Sequence, residues 1–126
     1  MDTAMIFLKR ISLAGGLAIG AALSTVLAQP ALAEMTPISW YGPGFEGNYT
    51  ASGEQFDRWG YTAAHPSMPF GTLLELTNPD NGSSVTVRIN DRSGGLLDIS
   101  EQAAIDLGVR NEGLARVSVD IVRWGR

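Results

Sequence analysis

The side chains able to move protons in this 126-residue chain fall in two places. Glu54, Asp57 and the single histidine, His65, lie in the segment 49–70. Asp91 closes the alternating run 84–90 and leads, through Arg92, into the glycine-rich turn Ser93-Gly94-Gly95. A carboxyl at the end of a strand sits on a rigid element and still reaches solvent, a position suited to an active group. The chemistry open to this set is general acid–base catalysis. Each residue also has a plain structural use: Asp91 as a turn residue partnered by Arg92, Glu54 and Asp57 as solvated charges around Phe56, His65 as a packed or surface imidazole. Residue types and spacing leave both uses open.

What is missing narrows the field. There is no cysteine, which excludes thiol catalysis, cysteine zinc sites and disulfide staples. With one histidine, a zinc site would be mostly carboxylate, an unusual donor set, so neither metal nor other cofactor is expected. Lys9 is the only lysine, so lysine-based covalent chemistry is excluded from everything that follows it. No basic run occurs, and nucleic acid is not an expected partner.

The elements that must hold these residues are short strands between turn clusters. Ile38 to Tyr41 is strand-like and stops at Gly42-Pro43-Gly44. Leu73 to Thr77 and Ser84 to Asn90 flank the turn cluster Asn78-Pro79-Asp80-Asn81-Gly82 and predict a hairpin. Val85, Val87 and Ile89 alternate with Thr86, Arg88 and Asn90, which puts the first three inward. Arg116 to Val122 alternates again and predicts Val117, Val119 and Ile121 inward. One helix is expected from Ser100 to Gly108: Ser100 suits the N-cap, Glu101 the positive helix end, and Gly108 the stop. Ala103, Ala104 and Leu107 form its apolar face. Asn48 and Asn81 begin glycosylation-type triplets and are read as turn residues. Short strands, many turns and one helix predict a compact β-barrel.

The first 33 residues read differently. Lys9-Arg10, the uncharged apolar run 11–28 and Ala31-Leu32-Ala33 form a basic region, a hydrophobic region and a small-residue cleavage site. That is the pattern of a secretory signal peptide. The run approaches the roughly 18 to 20 residues needed to span a bilayer, but Gly15, Gly16 and Gly20 disfavour a stable anchor helix. Residues 1–33 are therefore read as a signal peptide and 34–126 as the mature domain, expected to be a soluble monomer with no membrane anchor. Losing Asp2, Lys9 and Arg10 from the chain's 13 acidic and 9 basic residues leaves an acidic mature part.

Five blocks then carry a resemblance. Ile38-Ser39-Trp40-Tyr41-Gly42, Thr50-Ala51-Ser52-Gly53-Glu54-Gln55-Phe56-Asp57, the segment from Thr62-Ala63-Ala64-His65 to Phe70-Gly71-Thr72, Val87-Arg88-Ile89-Asn90-Asp91-Arg92 and Leu97-Asp98-Ile99-Ser100 occur in that order. Together they resemble the rare lipoprotein A family across nearly the whole mature part. The loop Ser93–Gly95 is shorter than the family's and lacks its Pro, Phe and second Arg. The resemblance implies an all-β fold, a small six-stranded double-psi β-barrel with one or two short helices. It implies an endolytic lytic transglycosylase that cuts the β-1,4 bond between N-acetylmuramic acid and N-acetylglucosamine, leaves a 1,6-anhydro end, and works in the periplasm or outside the cell. Peptidoglycan glycan strands are then the partner. Asp91 is the expected proton donor, with Glu54 and Asp57 raising its proton affinity and His65 orienting a carboxylate or sugar hydroxyl. Trp40, Tyr41, Trp59 and Tyr61 are candidates for stacking on sugar faces, and Arg92 for substrate binding. The competing readings are a non-catalytic, expansin-like glycan binder and a small secreted inhibitor or interaction protein.

Overall fold

The computed structural model describes residues 35–126; the expected signal peptide and its cleavage site lie outside the described residues. Among the described residues six strands are formed: β1 (Met35–Trp40), β2 (Thr62–Ala64), β3 (Leu73–Thr77), β4 (Ser84–Asp91), β5 (Leu97–Ile99) and β6 (Leu114–Arg123). A helix, α1 (Glu101–Leu107), joins β5 to β6. The strands close a barrel in the order β1-β5-β2-β4-β3-β6. Two of the six pairings, β1 with β5 and β2 with β4, are parallel; the other four are antiparallel. Closure removes both sheet edges, so no strand in the barrel is left with an unpaired row of backbone groups.

The hairpin expected from the turn cluster is β3–β4, with Leu73 opposite Arg88 and Thr77 opposite Ser84. Its turn does more than reverse the chain. Asn81 Oδ1 accepts the Ser83 N–H, while the side-chain amides of Asn78 and Asn81 both donate to Leu107 O at 2.8 and 3.1 Å. The hairpin therefore satisfies a carbonyl that the end of α1 leaves without an intrahelical donor. Gly108 ends the helix at φ +76°, a conformation that favours glycine. At the other end Ser100 Oγ accepts the Ala103 N–H at 3.3 Å, as the N-cap reading requires.

Val85, Val87 and Ile89 of β4 all point into the core, with Ile38, Leu74, Leu76 and Ile99 from the neighbouring strands. Ala103, Ala104 and Leu107 of α1 join the same core. Each large aliphatic side chain enclosed this way contributes about 1.5–3 kcal/mol. The facing predicted for β6 needs one correction. Val117 is enclosed and Val119 packs on the core, but Ile121 is 42% exposed. Leu74 pairs with Ile121 while its neighbour Leu73 pairs with Arg123, so β6 carries one extra residue there. The two-residue period holds through Val119 and Ile121, which stand opposite Leu76 and Leu74, and the extra residue, Val122, comes after it; the exposure of Ile121 therefore reflects where β6 leaves the core, not a slip of register.

Candidate active site

A second bulge makes the site. Along β4 the inward set runs Val85, Val87, Ile89, and strict alternation would send Asp91 into the core as well. Instead Ala63 of β2 pairs with Ile89 and the next residue, Ala64, pairs with Asp91, leaving Asn90 as the extra residue. The slip turns Asp91 onto the same face as Ala64, away from the aliphatic core, as bulges beside active sites do. Ala64 also pairs with Asp98 of β5, and Asp98 pairs with Ser39 of β1. Asp91, Ala64, Asp98 and Ser39 thus form one row across four strands. The two carboxyls flank the small side chain of Ala64, each one strand spacing, about 4.8 Å, to its side.

Tyr41 and Phe56 cover Ala64 and form a small second cluster outside the barrel core. Their rings stack at 4.3 Å, and Phe45 meets Tyr41 edge-on at 5.6 Å. The Tyr41 hydroxyl donates to Asp91 Oδ2 at 2.7 Å. Burial, and then that hydrogen bond, push the Tyr41 phenol far above its ordinary range. Asp91 Oδ1 accepts two backbone N–H groups, from Ala51 and from Arg92, each at 2.8 Å. The block Thr50–Glu54 accounts for the first of these. Thr50 N–H and Oγ1 both bond Glu54 O, Gly53 (φ +96°) closes the turn onto Thr50 O, and Ser52 N–H donates to Asn90 O. A tight turn is docked on the end of β4 with an N–H aimed at the carboxylate.

Asp98 has a different environment. Its Oδ1 accepts from Ser39 Oγ at 3.0 Å, and among the described residues Oδ2 has no hydrogen-bond partner. Burial raises its proton affinity above the ordinary Asp range, the Ser39 hydrogen bond opposes this, and the charge of Asp91 adds to it. The site reading from sequence did not single out Asp98, although it lies in a quoted block. The signal was its register: Asp98 stands on one side of Ala64 and the bulge-shifted Asp91 on the other, which only the paired strands reveal.

The other expected residues fall around this pair in different roles. Glu54 is not a neighbour that raises Asp91: its carboxylate is gripped by Arg88 Nη1 and Asn90 Nδ2, both at 2.7 Å, and these bonds hold it below the usual range. Asp57 accepts the Trp59 N–H and shapes its own turn; no hydrogen bond ties it to Asp91. His65 touches Asp91 through its backbone N–H, 3.1 Å from Asp91 O, not through its ring. The imidazole Nδ1 accepts the N–H groups of Ser67 and Met68 at 3.0 and 2.9 Å. Burial, then the charge of Arg92, lower its proton affinity. Arg92 turns away from the Asp91 carboxylate, donating to Met68 O and His65 O and covering the Phe70 ring at 4.1 Å. Asn90 Oδ1 is buried and lacks a partner.

Of the aromatics, Tyr41 is enclosed and serves Asp91. Trp40 is half-buried, packs on the core and donates to Arg110 O. Trp59 is exposed beneath the Arg58 guanidinium, and Tyr61 donates to Asp106 of α1. Phe45 and Tyr49, which the sequence reading did not select, are both exposed in the loop that covers the site. Their position in a glycine-rich loop just before the Thr50 turn was the available signal.

A family model described as "Lytic transglycolase" matches residues 34–119. The chain belongs to this double-psi β-barrel family. It is 49% identical over 89 residues to a probable endolytic peptidoglycan transglycosylase RlpA of Synechocystis, covering 68% of this chain and 28% of that one. The endolytic peptidoglycan transglycosylase RlpA of Pseudomonas aeruginosa is 47% identical over 93 residues, 68% of this chain and 27% of its own. The family chain thus spans between a quarter and a third of the length of these relatives. Among solved structures, an expansin of Clavibacter michiganensis superposes with a TM-score of 0.56 at 28% identity, over 73% of this chain and 51% of that one. Another form of it, solved with cellohexaose, gives 0.55 at 25% identity over 71% and 51%. Cerato-platanin 3 of M. perniciosa, at 15% identity and 0.56 over 71% and 95%, shares the fold.

Proposed function

We propose that this domain is an endolytic lytic transglycosylase of peptidoglycan, cutting the β-1,4 bond between N-acetylmuramic acid and N-acetylglucosamine. The observation that carries the reading is the bulge at Asn90, which lifts Asp91 out of the core onto a face shared with Asp98. Non-hydrolytic cleavage needs a carboxyl to protonate the leaving oxygen and a carboxylate to accept the proton of the muramyl 6-hydroxyl. It needs no group to activate water, unlike inverting hydrolysis. The names of the Synechocystis and Pseudomonas relatives support this chemistry. A peptidoglycan substrate fits a domain that works outside the cytoplasm, with residues 1–33 read as its cleaved signal peptide. Glu54, held charged by Arg88, and the exposed Phe45 and Tyr49 lie in the loops beside Asp91, where a sugar chain would bind, with Asp57, His65 and Arg92 shaping the neighbouring turns.

The test is digestion of peptide-stripped glycan strands with the purified protein, read by mass spectrometry for 1,6-anhydro ends. Wild type should release them, and Asp91→Asn should release about two to four orders of magnitude less. The second reading, an expansin-like binder, draws on the neighbour solved with cellohexaose. It requires wild type to be retained on glycan strands while yielding no anhydro end.

A further inference from the structure

Resting on the transglycosylase reading, the geometry points to a division of labour: Asp98 donates the proton to the leaving oxygen, and Asp91 is the carboxylate that takes the proton from the attacking hydroxyl. Asp91 is built as an acceptor. Both contacts to Oδ1 are backbone N–H groups, which have no lone pair to receive a proton in return, and Oδ2 receives the Tyr41 hydroxyl. Among the described residues Asp98 has one donor, Ser39, on Oδ1, and Oδ2 is open to carry a proton. The titratable groups around Asp98 are Asp91 and the Tyr41 phenol; β1 and β2 otherwise present Ser39 and Ala64 to it. Burial and the Asp91 charge both favour the protonated form of Asp98. A carboxyl with one donor and a bare oxygen, beside a carboxylate whose oxygens take three donors, separates the acid from the base.

The step balances without a co-reactant. The bond from muramyl C1 to the glycosidic oxygen breaks, and the Asp98 proton goes to that oxygen, which leaves as the 4-hydroxyl of the glucosamine. The muramyl O6 bonds to C1, and its proton passes to Asp91. Transfer of that proton back to Asp98 restores the starting state.

Asp98→Asn should lose about 10²–10⁴ in activity on glycan strands but retain it on an aryl β-glycoside of N-acetylmuramic acid, whose phenolate leaves unprotonated. Asp91→Asn should be inactive on both. Because the folded state holds the Asp98 proton more tightly than the unfolded chain, the ionised group costs stability above its folded pKa. Asp98→Asn should therefore melt no lower than wild type at neutral pH, an outcome opposite to that of a structural carboxylate. The alkaline limb of kcat/KM should move to higher pH in Ser39→Ala, which removes a hydrogen bond to the charged form. The carboxyl carbon of Asp98, followed by NMR, should titrate above the ordinary Asp value of about 3.9 and fall in Asp91→Asn. A folded Asp98→Asn with wild-type activity on glycan strands overturns the assignment. So does aryl-glycoside activity in Asp91→Asn and not in Asp98→Asn, or titration of Asp98 at or below the ordinary value. Absence of anhydro ends from wild type itself fails the transglycosylase reading instead, and the titration still reports on Asp98.

Discussion

His65 shows what a single residue can hide. A lone histidine in a sequence says nothing about which nitrogen is used, and its expected partner was a carboxylate or a sugar. In the fold its Nδ1 accepts two backbone N–H groups of its own loop, so the ring works only while that nitrogen is unprotonated. Its folded proton affinity is lowered. The stability it lends is present above the ordinary histidine pKa, about 6.5, and is lost as pH falls through the lower folded value. Amide exchange at Ser67 and Met68 should accelerate as pH drops below that range, beyond the intrinsic trend. His65→Asn, which keeps an acceptor, should hold the loop and remove the pH dependence; His65→Ala should open it at all pH values. Unchanged protection in His65→Ala would show that Arg92, through its bonds to Met68 O and His65 O, closes the loop unaided. Asp91 was legible in the sequence as a strand end, but its partners were not, because Ala51 and Tyr41 reach it across 40 and 50 residues.

At the scale of elements, the hairpin and the helix were legible because their signals are local: turn residues at Asn78 to Gly82, a Ser N-cap, a Gly stop. The two bulges were not, because a slip of one residue is a property of two strands together, and a single strand shows only its own alternation. Glu101 is a milder case. Its sequence position favours the start of a helix, yet the fold uses it as a clip. The side chain is 2% exposed and bridges Arg58, at 2.6 Å, and Arg110, at 2.7 Å, joining the loop before β2 to the loop after α1. The Arg58 hydrogen bond, opposed by burial and reinforced by Arg110, holds Glu101 below its usual range. The stability it adds is therefore present above the unfolded Glu pKa, about 4.3, and is lost as pH falls through the folded value. Glu101→Gln should lower Tm at neutral pH and leave a flatter Tm profile across the acid range; an equal drop at every pH would show that packing, not charge, is what the clip supplies. Gly108 offers a second check on the same element. A Cβ there would stand 2.7 Å from Asn81 Nδ2 at a backbone conformation unsuited to it. Gly108→Ala should cost about 1–2 kcal/mol, each kcal/mol lowering Tm by roughly 4–8 °C.

At the scale of the whole molecule, closure decides what can be removed. Alternation in the sequence signalled strands but not their order, since β1 meets β5 and β6 and β2 meets β4 and β5. That interleaving of parallel and antiparallel neighbours came into view only through the family resemblance, not through any local pattern. Its consequence is that β1 is the seam: it pairs in parallel with Leu97–Ile99 and antiparallel with Leu114–Ser118. The first described strand begins at Met35, just past the Ala31-Leu32-Ala33 site proposed for cleavage. Removing residues 1–33 should therefore leave the barrel intact, with one cooperative thermal transition that reductant does not shift, since the chain holds no cysteine. Removing residues 1–40 takes β1 away and exposes the edges of β5 and β6 together with the core under Ile38. That product should lose its near-ultraviolet circular dichroism and its cooperative melt. The exported protein should accordingly start at Glu34 by N-terminal sequencing. A mature chain starting within 36–40, with the sharp melt retained, would show that the barrel closes without the seam described.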